Sequence, residues 1–191
     1  MSQHLIMKQM RAFSSLPRHG VQPGDLYLAR TPMILQTILG SCVGVTFWCC
    51  RLGIGALCHG VLPKSPPGTG PIEGFRYVDF SIRYLAGQFD ALGAARQELK
   101  IKLFGGADVL TVCDARIGKP TIGAQNAEVA LDVLAKEGLV IQASDLGGNR
   151  GRTIHFDIQS GEVLVHRLEC ISRLEVSAPT GVGKSADMES N

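Results

Sequence analysis

Nothing in the sequence approaches the ~18 consecutive apolar residues of a membrane span, so no helix is expected to insert directly into a bilayer. The first twenty residues, MSQHLIMKQMRAFSSLPRHG, lack the continuous apolar core of ~7 to 15 residues that a secretory signal carries. A cytoplasmic location is the expectation. Excess charge is also missing: a formal net charge of +2, with charged residues at 19%, supplies no field large enough to steer nucleic acid or an acidic membrane surface. A nucleic-acid partner is therefore not expected. Cysteine is present six times, yet without any C-x-x-C pair and at uneven intervals. That usage, in a chain with ample core and no signal sequence, points to reduced thiols. A metal site built from Cys42, Cys49, Cys50, Cys58 and His59 lacks the paired short ligand spacings of zinc sites, and none is expected. Internal repeats are absent as well.

What is present fits one domain with tails, since 191 residues suffice for a single hydrophobic core. Residues 1–20 read as a weakly ordered arm, residues 21–176 as the domain and residues 177–191 as a flexible tail. Strands are expected over "DLYLAR" (25–30), "PMILQTIL" (32–39), "VGVTFWCC" (43–50) and "ALCHGVLP" (56–63), the last two forming an antiparallel hairpin. The Pro/Gly-rich stretch 64–74 cannot enter a packed ladder. Val78, Ile82, Leu85, Phe89 and Leu92 recur at helical spacing, and a second helix is expected over 124–137 with Ala127, Ala130, Leu131 and Leu134 inward and Gly138 as its stop. "LKIKLFGG" alternates as a half-buried strand, and "LVIQASDL", "RTIHFDI" and "EVLVHRL" close the domain as strands. The expected fold class is a single-domain layered α/β sandwich with mostly antiparallel or mixed strands and two main helices.

The tail holds "APTGVGKS" at 178–185, a relaxed phosphate-loop pattern. Phosphate binding needs a strand before such a loop and a helix after it, so that backbone N–H groups and the helix dipole face the anion. The six residues after Ser185 are too few for a stable helix. Nucleotide binding is not expected.

The chemistry concentrates on "ILGSCVGV" at 38–45. A cysteine acts as a nucleophile through its thiolate, usually with a histidine beside it. The hairpin brings Cys42 at one strand end toward His59 on the returning strand. A tight turn at Gly40 and Ser41 places backbone N–H groups near the sulfur, where an oxyanion is stabilised. The hydroxyl of Thr37, just upstream, is placed to fix the imidazole tautomer. The residues alone leave the bland alternative open, because free cysteine is among the most buried residue types; Cys49, Cys50, Cys58, Cys113 and Cys170 read that way. His155 and His166 read as solvated or structural, and His4 and His19 as weaker candidates still.

Five blocks in order, "LGSCVGV" (39–45), "HGVLP" (59–63), "KLFGGA" (102–107), "IGAQNAE" (122–128) and "DLGGNRGRTIHFDIQSGEV" (145–163), resemble the chemoreceptor glutamine deamidases called CheD. The resemblance implies a cytoplasmic protein-glutamine glutaminase that hydrolyses particular glutamine side chains on chemotaxis-receptor helices to glutamate. It implies glutamyl methyl ester hydrolysis in some members, a CheC-type phosphatase as a partner in some, and no metal or organic cofactor. The family's nucleophile falls on Cys42, its histidine on His59 and its threonine on Thr37. The site is expected to be a shallow groove bordered by the loop after Pro63 and by Phe104, which is either a partner contact or a core residue. The rival reading is a binding regulator of a receptor or phosphatase that performs no chemistry.

Overall fold

The computed structural model describes residues 16–109 and 120–168. Most of the expected arm, Cys113, Cys170, the expected tail and its "APTGVGKS" stretch lie outside the described residues.

In chain order the first elements are β1 (Arg18–Gly20), β2 (Leu26–Ala29), β3 (Ile34–Leu39), β4 (Val43–Cys49) and β5 (Ile54–Gly60). A single helical turn, α1 (Pro71–Gly74), leads into α2 (Val78–Ala91) and then β6 (Leu99–Gly105). The last are α3 (Ile122–Lys136), β7 (Ile141–Leu146), β8 (Arg152–Asp157) and β9 (Val163–Arg167). Among the described residues these strands form a four-stranded sheet in the order β1-β3-β8-β9 and a five-stranded sheet in the order β2-β5-β4-β6-β7. Pairing is parallel for β1 with β3 and β6 with β7, and antiparallel elsewhere. The layered α/β sandwich with mixed strands and two main helices is the fold observed.

Strand alternation explains the layers. On β4, Val43, Val45, Phe47 and Cys49 point to one side and pack with Val78, Ile82, Leu85 and Phe89 of α2 and Val129, Ala130, Val133 and Leu134 of α3. The other face of the same sheet carries Trp48, Leu57 and Phe104, which meet Leu35, Leu39, Ile154 and Phe156 of the four-stranded sheet. Every residue of β4 and β5 is buried, because this sheet is covered on both sides. The molecule is thus helix layer, five-stranded sheet, four-stranded sheet. Burying so much apolar surface on both faces is the main stabilising term for the two central strands.

Three expectations need correction. Arg18–Gly20, assigned to the weakly ordered arm, pairs in parallel with Ile34–Gln36, since residues next to a free sheet edge satisfy their backbone groups by joining it. On α3 the buried stripe is Gly123, Asn126, Val129, Ala130, Val133 and Leu134, whereas Leu131 is 44% exposed. The expected stripe was rotated because Asn126, a polar residue, occupies a core position. Phe104 is 4% exposed and lies between the sheets, so of its two readings the structure supports core residue and not partner contact.

One backbone position matters for the site. Gly105 has φ +107°, outside the range that side-chain-bearing residues adopt freely, and a Cβ there would drive into the Cys42 carbonyl oxygen. We predict that Gly105→Ala lowers unfolding stability by at least about 1 to 3 kcal/mol, the cost of such backbone strain, in urea denaturation. Unchanged stability would show that the turn does not depend on this close approach.

Candidate active site

The two sheets meet where the expected residues converge. Thr37 occupies an inward position of β3, between inward Leu35 and Leu39 and flanked by outward Gln36 and the 62% exposed Ile38. His59 lies on the inward face of β5, opposite Gly44 of β4, and Phe104 of β6 completes that rung. Cys42 immediately precedes β4, two residues from Gly44, and therefore shares the face that carries His59. Diagonal neighbours of this kind stand about 7 to 8 Å apart at the backbone, within reach of long side chains.

Thr37 and His59 are joined directly: Thr37 Oγ1 lies 2.7 Å from His59 Nδ1. The same hydroxyl donates to the Val21 carbonyl at 2.7 Å. A hydroxyl has one proton to give, so with that proton committed to Val21 it accepts from Nδ1–H. The neutral imidazole is thereby held with its proton on Nδ1 and its lone pair on Nε2. Nε2 is buried and has no hydrogen-bond partner among the described residues. The His59 main chain is also tied down, its N–H donating to the Asp25 carbonyl at 2.9 Å and its carbonyl accepting from Gly24 N–H at 2.9 Å. The segment 21–25 thus anchors both members of the pair.

The Cys42 turn is fixed through three successive carbonyls. Gly40 accepts from Ala107 N–H at 2.8 Å, Cys42 from Gly106 N–H at 2.8 Å, and Ser41 from Asn126 Nδ2 at 3.0 Å. Behind this turn, Gly147 N–H donates to the Gly105 carbonyl at 2.9 Å, and buried Arg152 donates to the carbonyls of Gly147 and Asp145 and, at 2.8 Å, to the Asp145 carboxylate. Sequence reasoning missed Asn126, Arg152 and Val21. The first two are polar residues within otherwise apolar periodic segments, which is the available signal; Val21 acts through its carbonyl and leaves none.

Burial sets the electrostatics of the pair. It raises the Cys42 thiol above its ordinary pKa, opposed by the hydrogen bond from the residue's own backbone N–H. It lowers His59 below its ordinary value, opposed by the Val21 carbonyl and the Asp25 charge. Both shifts favour neutral thiol and neutral imidazole at rest. The other core thiols differ in placement: Cys49 and Cys58 face the helix layer, and Cys58, which contacts the Val45 carbonyl, is pushed up to about 12 by burial. Among the described residues no group of three or more His, Cys, Asp or Glu side chains is arranged to hold a metal ion.

A cavity of about 410 Å³ reaches Thr37 and His59 and is walled by Gly20–Pro23, Gln36, Ile38, Thr153 and His155. Cys42 is not among the residues that line it, and Pro63 and Lys64 line a separate cavity against α3 with Gln125, Glu128 and Asp132.

A family model described as CheD chemotactic sensory transduction matches residues 61–167 of this chain. The chain belongs to the CheD family. Among similar proteins, the probable chemoreceptor glutamine deamidase CheD 2 of Geobacter sulfurreducens is 40% identical over 153 residues, covering 80% of this chain and 91% of that protein. The probable chemoreceptor glutamine deamidase CheD of Maridesulfovibrio salexigens is 37% identical over 161 residues, covering 82% and 95% respectively. That of Thermococcus kodakarensis is 37% identical over 147 residues, covering 76% and 89%. Among solved structures, a hypothetical protein from Bacillus licheniformis, YfiH, overlaps at a TM-score of 0.41 with 11% identity, over 66% of this chain and 57% of that one; so loose a likeness carries no argument. Thr37, Cys42 and His59 precede the span of the CheD model match; the Thr37–His59 pair rests on its hydrogen bond, and Cys42 on its position at the end of β4 against the same inter-sheet core.

Thr37→Val removes the hydroxyl that bonds both His59 Nδ1 and the Val21 carbonyl, a loss of buried hydrogen bonding worth about 1 to 3 kcal/mol. Urea unfolding is expected to register that loss, and ¹H–¹⁵N NMR of the wild-type protein is expected to show neutral His59 protonated at Nδ1. A neutral wild-type His59 protonated at Nε2 would contradict the assignment.

Proposed function

We propose that this CheD-family chain deamidates glutamine side chains on the cytoplasmic helices of chemotaxis receptors, with Cys42 as nucleophile, His59 as acid and base and Thr37 as the group that orients His59. The observation that carries the reading is the 2.7 Å Thr37–His59 contact, which leaves Nε2 bare on the sheet face that Cys42 shares. The names of its relatives supply the substrate class.

The reaction follows from the protonation states. As Cys42 Sγ attacks the glutamine Cδ, its proton passes to His59 Nε2, so the two unfavourable charges arise together and stabilise each other. Negative charge collects on the former carbonyl oxygen, and the reading assigns its stabilisation to N–H groups of the Gly40-Ser41-Cys42 turn. When the C–N bond breaks, imidazolium returns its proton to the nitrogen and ammonia leaves. The thioester is then attacked by a water whose proton His59 takes; the C–S bond breaks, Sγ is reprotonated and glutamate remains. Glutamyl methyl ester hydrolysis needs the same steps with methanol as leaving group. Exposed Ile38 and Val109, the latter packed against Gly40, supply an apolar rim beside the turn for a helical substrate. A CheC-type phosphatase is a proposed partner on family grounds alone.

The test is ammonia release from receptor cytoplasmic fragments, with glutamine-to-glutamate conversion read by mass spectrometry. Cys42→Ala is expected to abolish conversion, and His59→Ala to reduce kcat by about 10²- to 10⁴-fold. Normal turnover by folded Cys42→Ala would overturn the reading. The acid limb of kcat/KM also has a sign. Lowering the His59 pKa keeps the imidazole neutral, and able to accept the thiol proton, at more acidic pH, so the limb is expected to have its midpoint below 6.5. A midpoint above 6.5 would contradict a base governed by burial.

A further inference from the structure

The β4–β5 ladder ends at the Val43–Gly60 pair, so Cys42 lies one residue beyond its last rung. Past that pair the ladder no longer joins the two strands. A side chain from the helix layer takes over. Asn126 of α3, 0% exposed, donates from one Nδ2 to the Ser41 carbonyl at 3.0 Å and to the Val61 carbonyl at 2.9 Å. Ser41 adjoins Cys42, and Val61 follows His59 by two residues. The Asn126 Oδ1 is buried and has no partner among the described residues. An amide whose acceptor is left bare in the interior carries a desolvation cost that an apolar residue would avoid. What the amide supplies in return is two donors aimed at two strand exits.

We propose that Asn126 is a positioning residue for the reaction: it bridges the Cys42 turn and the His59 strand beyond the end of their ladder, and so keeps Sγ within reach of Nε2. The inference rests on the reading of Cys42 as nucleophile and His59 as base. A staple that served stability alone would be equally useful anywhere along α3. This one closes the open end of the hairpin that carries both reacting groups, where a displacement of about 1 Å costs on the order of 10²-fold in rate.

The experiment compares the full-length wild type with Asn126→Leu and Asn126→Asp. The first keeps the side-chain bulk and removes both donors; the second keeps the shape but presents a carboxylate to two carbonyls. Two readouts are taken on folded protein: kcat and KM on a receptor fragment, and the pH dependence of iodoacetamide alkylation at Cys42, resolved by peptide mass spectrometry with exposed Cys50 as internal reference. For Asn126→Leu, kcat is expected to fall about 10²-fold with KM unchanged. Its Cys42 alkylation profile is expected to move toward that of His59→Ala while Cys50 stays put. For Asn126→Asp, activity relative to wild type is expected to recover as pH falls, because protonation returns one donor to the site; this arm decides the matter if Asn126→Leu does not fold. A lowered melting temperature with kcat per folded molecule and the Cys42 profile both unchanged would overturn the proposal and leave a structural staple. If instead Cys42→Ala and His59→Ala retain full activity, the underlying reading of the site fails, which is a separate outcome.

Discussion

The hydrogen bond between Thr37 and His59 is the constraint on which the site depends, because it is made across two different sheets. Thr37 belongs to the four-stranded sheet and His59 to the five-stranded sheet, and their 2.7 Å separation exists only when the sandwich is packed. Core packing by Leu35, Leu39, Leu57, Ile154 and Phe156 is therefore also what orients the imidazole. Because the Thr37 hydroxyl donates its one proton to the Val21 carbonyl, it accepts from His59. Fold and tautomer are set by the same contact.

Much of this is written locally in the chain. Period-two alternation in "VGVTFWCC" and "ALCHGVLP" identifies the hairpin, and the hairpin brings the Cys42 end toward His59. Helical spacing of Val78, Ile82, Leu85 and Phe89 marks α2 because that helix buries a plain apolar stripe. Apolar patterning fails where function or tertiary packing puts a polar group inside. Asn126 occupies a core position on α3, and a reading that rewards apolar residues rotates the helix to bury Leu131 instead. Arg152 breaks the apolar face of β8 in the same way. Its charge is tolerated because the Asp145 carboxylate and loop carbonyls receive its donors.

Other features have no local signature at all. Pairing of Arg18–Gly20 with β3 is a contact between a short polar segment and a distant edge, satisfied by backbone groups whose identity does not depend on side chains. The role of Val21 is likewise carried by a carbonyl. The cavity at Thr37 and His59 has no local signature either, because its walls come from residues 20–23, β3 and β8, which are brought together only by the stacking of the sheets. Phe104 illustrates the reverse: its neighbourhood in "KLFGGA" is recognisable, yet only the sheet register shows that it sits on the rung of Gly44 and His59 inside the sandwich.

Chemistry and burial then have to be reconciled. Desolvation opposes charge on both the Cys42 thiol and the His59 imidazole, which is why the proposed reaction couples proton transfer to bond formation. The proposed coupling demands a close and constant Sγ–Nε2 geometry, and the bonds on the Cys42 turn, on the 21–25 segment and from Asn126 are the ones available to hold it. The most direct test of the central claim is acid-quenched mass spectrometry of the chain during turnover of a glutamine-containing receptor peptide. The account predicts an adduct on Cys42 equal to the peptide less ammonia; continued turnover with no adduct on Cys42, or with the adduct on another residue, would contradict it.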